Sequence, residues 1–364
     1  MSDLTSRTLT PTPLHARTAE LCAANSWTAQ GGFTIPAAYS SEREELETLT
    51  TRVGLSDLSA RRCWTFEGPD AAAFLSFATV VDVTVLEPGQ TTRTVWCDDD
   101  GHVRGVGTIV RFGESQFELS AHVGDFAWLQ DGVRGFDVKI VDVTGQRAGV
   151  GVRGPLAAAL LAVAGFAATP QKGGDMMQPT WRQAQVALLR DASGDGFELW
   201  TQAEDGIVVW DRLFRSGASL GGAPVGAAAL ETIRVENAQP WCAVDWLPAQ
   251  LALNDSDLRV PQDLGFSPNL SRRFNGSAAL GRGAFSGRAF QFVQLTAPQQ
   301  ILKGPLNSKD TVVGAVTSQV WSSNRERSFA IAWLRSDLAK LGGQISGVGI
   351  GGQVNTDVAR ICFL

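Results

Sequence analysis

Histidine is scarce: the chain has three in 364 residues, His15, His102 and His122. A metal centre built on imidazoles would need nearly all of them in one place, and no metal site is expected. The five cysteines (22, 63, 97, 242 and 362) are odd in number and scattered, with no CxxC pair. That argues against both a disulfide framework and a structural zinc site. An excess of positive charge is also missing, since 31 Lys and Arg face 37 Asp and Glu for a net charge of −6. No nucleic-acid partner is therefore expected. No apolar run approaches the roughly 20 residues that cross a bilayer, so no membrane partner is expected either. The opening MSDLTSRTLTPTPLHAR lacks the apolar core of an export signal, which makes the cytoplasm the expected location. GxSxG followed by a helix pattern and GxxxxGK[ST] are both absent, and GVGIGG (347–352), with no helix pattern after it, reads as a barrel turn.

What is present is an ordinary globular composition, 44% hydrophobic and 19% charged, long enough for two or three domains. One internal similarity stands out. CWTFEGPDAAAFL (63–75) and GVGVRGPLAAALL (149–161) are each a short strand pattern, then Gly-Pro, then an Ala/Leu helix. Proline suits the first helical position, where its missing N–H costs nothing. Two copies predict a duplicated α+β unit rather than a solenoid. Between and beyond them, QFELSA (116–121) and FDVKIVDV (136–143) read as strands and DFAWLQDGV (125–133) as a helix. VALLRDASGDGFELWT (186–201) predicts two strands about a Gly-rich turn. EDGIVVWDRLFRSG (204–217) and GAAALETIRVENA (226–238) predict helices. After about residue 275, strand patterns (FQFVQL, VVGAVTSQVW, SFAIAWL) dominate until a helix at SDLAKLGG, with NGSAALGRGAFSG (275–287) as the joint. The expected organisation is an α+β body over 1–275 and a β-barrel domain over 276–364.

These landmarks, in this order, resemble the folate-binding T-protein family, which holds the glycine-cleavage aminomethyltransferase and folate-dependent demethylases. The matching pieces are PAAYSSEREELETLTTRVGLSDLSAR (36–61), the Gly-Pro helix at 68–71, GDGFE (194–198), GAAALETIRVE (226–236), DLGFSP…GR (263–282) and GAVTSQ (314–319). No single piece is specific; their order is. The resemblance implies a three-domain cloverleaf of α+β type around a central funnel, with tetrahydrofolate as cofactor. It gives Glu198 the role of accepting hydrogen bonds from the pterin's amino group and ring N–H, a pairing that suits a bidentate carboxylate. Tyr39 matches a tyrosine facing the reacting carbon, and Arg234 a helix arginine that binds acidic substrate in some members.

The chain also departs from the pattern. Asp191 stands where the family has a pterin-contacting tyrosine, and Trp181, Trp200 or Trp241 could replace the lost aromatic surface; the sequence does not choose between them, and Trp200 is the cofactor-binding candidate. His122 falls near the position of a family asparagine and is a candidate substrate contact. In CDDDGHVRGVGTIVR (97–111), Val106 occupies the place of the family's acid, framed by Gly105 and Gly107. Valine cannot move a proton or hold an ammonium. Asp98, Asp99 and Asp100 read as a solvated turn; His102 is a further candidate for the proton. An uncharged donor would tolerate Val106 better than a cationic amine. The expected function is thus a tetrahydrofolate-dependent methyltransferase, closer to the demethylases and acting on a small O-, N- or S-methylated donor. The alternatives are an aminomethyltransferase of glycine cleavage, whose partner would be a lipoyl carrier protein, and a paralogue that has given up folate-dependent transfer.

Overall fold

The computed structural model describes residues 8–181, 184–191, 196–254, 257–282, 290–309 and 311–362. The chain is a mixed α+β fold that divides into two compact units, each assembled from three segments. The first runs to Phe74 and continues through Val83–Arg93 and Gly107–Leu230; the second takes Leu75–Asp82, Thr94–Val106 and Glu231 onward.

The first unit is organised by a six-stranded sheet. Its strands lie in the order Met176–Met177, Ala187–Arg190, Gly196–Gln202, Arg147–Arg153, Gly54–Asp57 and Ala223–Pro224. Period-two alternation divides the Gly196–Gln202 strand between two faces. Phe197 and Leu199 join Leu160, Leu161, Trp210 and Leu213 in a buried core under the helices Ala157–Ala164 and Gly206–Gly217. Each such side chain contributes about 1.5–3 kcal/mol by leaving water. Glu198 and Trp200 point to the other face, opposite Gly151 and Gly149 of the neighbouring strand. A second set of strands pairs Arg62–Glu67 with Gln116–Ala121 and Lys139–Asp142, and Gly107–Gly113 also pairs with Gln116–Ala121.

The two Gly-Pro copies take equivalent conformations. Gly68 (φ 143°) and Gly154 (φ 116°) both adopt values reserved for glycine. A Cβ on Gly154 would sit 2.5 Å from the Arg52 carbonyl, so the strand-to-helix turn admits no side chain. The helices start at Ala71 and Ala157, two residues later than the prolines. The prolines therefore precede the helix, because the glycine turn needs an extra residue before the chain can wind.

The second unit contains a closed barrel of six strands, Phe290–Ala297, Arg327–Arg335, Thr311–Ser322, Gly304–Ser308, Gln344–Gly349 and Gly352–Ile361. Its core includes Val293, Leu295, Leu306, Ala330, Leu334 and Val358. GVGIGG is the turn between the last two strands, with Gly352 at φ 120°. SDLAKLGG is a series of turns rather than the expected helix: Gly342 takes φ 76°, and the Gly343 N–H donates to the Lys340 carbonyl. FDVKIVDV forms a shorter strand than expected, Lys139–Asp142. The joint expected at 275–287 lies partly outside the described residues.

Candidate active site

Glu198 is the centre of a charged cluster in the first unit. Arg61 donates to both of its oxygens, Nη1 to Oε2 at 2.7 Å and Nη2 to Oε1 at 2.8 Å. The side chains are 14% and 12% exposed, which makes this a largely desolvated bidentate pair. Trp200 Nε1 also donates to Oε2 at 3.1 Å, and the Arg61 guanidinium lies 5.7 Å from the Trp200 ring centre. Burial opposes the charge on Arg61, but the Glu198 carboxylate outweighs it and the guanidinium is held more firmly protonated than usual. The glycines across the strand make room: a Cβ on Gly149 would lie 2.6 Å from the Trp200 ring, and one on Gly151 would strike the Ser56 hydroxyl. That hydroxyl is buried with no hydrogen-bond partner among the described residues.

Two further cations border this pair. Arg153 holds Asp191 at 2.6 Å. Desolvation lowers the Arg93 guanidinium, with Asp191 pulling it back up and Arg61 repelling it. Arg93 is nevertheless solvent-accessible. Of the three tryptophans proposed to replace the missing aromatic surface, Trp200 is the one beside Glu198. Trp181 stacks on Phe166 at 5.8 Å, and Trp241 lies under Arg234 at 5.2 Å in the second unit.

Tyr39 belongs to a different cluster of the first unit. It is buried among Thr18, Cys22, Glu45 and Asp57, and its phenol is pushed far above the ordinary value, first by burial and then by the Asp57 charge. It therefore stays protonated. Glu45 explains the PAAYSSEREE motif: its Oε1 accepts from the backbone N–H of Tyr39 (2.6 Å) and Ser40 (2.9 Å), and its Oε2 from Gly226 N–H at 2.7 Å. From the helix Glu42–Thr51, the acid ties the Tyr39 loop to the backbone of Gly226, 181 positions along the chain. His122 contacts Gln30 through Nδ1 at 3.3 Å.

The remaining candidates lie in the second unit. Asp98 caps the hairpin tip, accepting from the backbone N–H of His102 (2.8 Å) and Asp100 (3.1 Å), while Asp99 and Asp100 are exposed. His102 Nδ1 is 3.7 Å from Asp98 Oδ2. Val106 is half-buried on the strand Val103–Gly113. Arg234 is buried and spends all five N–H donors on protein acceptors. Nε and Nη2 take the two oxygens of Glu231 (2.7 Å each), Nη1 reaches the Gln239 carbonyl and Asp245 (2.6 Å each), and Nη2 also reaches Ser318 Oγ at 2.7 Å. Thr317 Oγ1 donates to the second Asp245 oxygen at 2.6 Å. The ETIRVE and GAVTSQ motifs thus meet at one buried ion pair. This leaves Arg234 no donor for the substrate contact expected of it.

A profile of the GCVT N-terminal domain matches residues 14–250. A protein of Geobacillus kaustophilus (strain HTA426) named aminomethyltransferase is 30% identical over 328 residues, 86% of this chain and 88% of that one. The chain belongs to the GCVT family. An aminomethyltransferase of Streptomyces coelicolor (strain ATCC BAA-471 / A3(2) / M145) is 30% identical over 216 residues, covering 57% of this chain and 58% of its own. The solved glycine cleavage system aminomethyltransferase T from Bartonella henselae superposes with a TM-score of 0.85 over 98% of each chain at 23% identity, a likeness of fold. Among the described residues of this GCVT-family protein, no helix is long and apolar enough to cross a membrane.

Sequence reasoning missed Arg61, Arg93 and Arg153. Arg61 closes the quoted motif GLSDLSAR, so its position was in view. The available signal was a half-buried acid in GFE with no neutralising partner nearby in sequence.

Proposed function

We propose that this GCVT-family protein is a tetrahydrofolate-dependent one-carbon transferase. The observation that carries the reading is similarity to aminomethyltransferases over 86% of the chain. The residues on the Glu198 face fit a pterin in kind. They offer a carboxylate that can accept two parallel N–H donors, an indole beside it, and a glycine-lined strand with an orphaned Ser56 hydroxyl. Glu198 and Trp200 would hold the ring. When bound, reduced folate supplies N5, a neutral nucleophile that accepts the one-carbon unit. The chain's own contribution is alignment and the exclusion of water. Tyr39 stays neutral and serves as a wall or a hydrogen-bond donor, not a base.

Two donor classes remain, each with an observation behind it. The names of the relatives favour an aminomethyl group, delivered by a lipoyl carrier protein. Val106 favours a small methylated donor whose leaving group needs no acid at that position, with His102 as the other titratable candidate nearby in sequence. The products separate them. With tetrahydrofolate, a carrier-bound aminomethyl group yields methylenetetrahydrofolate and ammonia, whereas a methylated ether, thioether or amine yields 5-methyltetrahydrofolate. Formation of neither product from a panel of both donor types would refute the proposal. Cytoplasmic location is part of the same reading.

A further inference from the structure

We infer that Arg61 is an internal occupant of the pterin carboxylate, a latch that a ligand must displace; this rests on the function proposed above. A carboxylate has one front edge, across which two parallel donors can bind its two oxygens together. Arg61 takes that edge, with one nitrogen on each oxygen at 2.7 and 2.8 Å. The amino and N–H groups of a pterin are two donors on one carbon, the same pattern as a guanidinium. Arg61 and the ring are therefore competitors for one acceptor, and they cannot share it.

Two features mark Arg61 as displaceable rather than structural. The first is its incomplete bonding: its Nε is buried with no hydrogen-bond partner among the described residues. Arg234, by contrast, has all five donors satisfied and is a fixed joint. The second is the charge around it. Asp191 attracts the Arg61 cation and Arg93 repels it; Asp191 is already held by Arg153 at 2.6 Å, so a displaced Arg61 would share that carboxylate rather than find an empty one. The exchange trades one pair of charge-assisted bonds for another, and its net cost is the rehousing of a single cation. Arg61 thus sets affinity and selectivity: a ligand without the two-donor edge cannot replace it. Trp200 Nε1 keeps its bond to Oε2 from the side and holds the carboxylate in place through the exchange.

The test is calorimetric titration of full-length wild type and Arg61→Met with 5-formyltetrahydrofolate, a stable reduced folate. Methionine keeps the bulk and removes the donors. A latch requires Arg61→Met to bind at least tenfold more tightly. A residue that merely orients Glu198 predicts weaker binding, and equal or weaker binding by the variant overturns the latch. Should neither protein bind, the folate reading falls and the latch falls with it. Glu198→Gln is expected to bind at least tenfold more weakly than wild type; wild-type affinity in it overturns the inference. Because Arg61→Met can fail to fold, the wild-type protein crystallised with the same ligand gives an independent answer. Arg61 released from Glu198 supports the exchange, and Arg61 still bidentate on Glu198 refutes it.

Discussion

Arg234→Met separates a structural arginine from a substrate-binding one. The side chain is 2% exposed and that of its partner Asp245 is 0% exposed, at 2.6 Å. Removing one member of a buried pair leaves the other charge uncompensated, which costs about 3–5 kcal/mol. Asp245 keeps two donors after the change, the Trp241 N–H at 2.8 Å and the Thr317 hydroxyl at 2.6 Å, so the lower end of that range, about 3 kcal/mol, is expected. Glu231 adds little, since its side chain is 37% exposed and water replaces the arginine. Against a total stability of about 5–15 kcal/mol the loss is large. Urea denaturation followed by tryptophan emission measures it.

Asp245→Asn on the Arg234→Met background removes the stranded charge and is expected to recover roughly 1–2 kcal/mol. A loss below about 1 kcal/mol in the single variant, or a further loss in the double variant, would refute the account of the pair. A kinetic outcome bears on the alternative. If Arg234 binds substrate, Arg234→Lys at a temperature where it remains folded raises KM with little change in stability. A buried joint gives the reverse, lower stability with KM unchanged.

Gly154→Ala is expected to cost about 2 kcal/mol or more, because it combines a φ of 116° with a Cβ 2.5 Å from the Arg52 carbonyl; thermal unfolding checks it, and a neutral result removes the glycine requirement. Burial pushes the Glu118 carboxyl above its ordinary value, with Arg147 pulling it down, so the native state holds that proton longer than the unfolded chain. Its contribution is therefore greatest below the usual carboxylate range and is lost as pH rises through the folded pKa. Glu118→Gln should lose less stability than wild type between about pH 4 and pH 8, and parallel unfolding midpoints would contradict this. All five cysteines are buried, and burial raises the thiols of Cys63, Cys97, Cys242 and Cys362. A disulfide reagent should label them only as fast as the protein unfolds; rapid labelling of a native thiol argues against the packing.

Local chemistry was the readable part of the sequence. Alternation gave QFELSA as the strand Gln116–Ala121, and the repeated Gly-Pro placed both strand-to-helix turns. Glu198 was picked out only by the resemblance of GDGFE to a family motif; the structure puts it on the strand face opposite Phe197 and Leu199. Long-range pairing was not. Arg61 meets Glu198 across 137 positions, and Arg234 meets Ser318 across 84. From sequence, Arg234 looks like any cation on an amphipathic helix, and nothing in ETIRVE tells a snorkelling arginine from a buried one. SDLAKLGG shows the opposite error: good helix formers lose to a glycine in the left-handed region.

Val106 shows how the fold leaves one position chemically open. Gly105 and Gly107 lie on the packed face of their strand. A Cβ at Gly105 would collide with the Trp96 ring, and one at Gly107 would lie 2.7 Å from the Leu119 side chain. Alternation then sends residue 106 to the opposite, half-buried side. Packing fixes the two glycines and puts residue 106 on the half-buried side, where a polar side chain can keep contact with water. The same geometry makes a change to an acid mild. Val106→Asp is expected to alter stability by no more than about 1 kcal/mol, since a half-buried carboxylate keeps contact with water. Its effect belongs to chemistry: if the valine selects an uncharged donor, the aspartate raises aminomethyl transfer relative to methyl transfer. A loss of roughly 3 kcal/mol or more in the variant would show that the valine is core, and the selectivity argument would then fail.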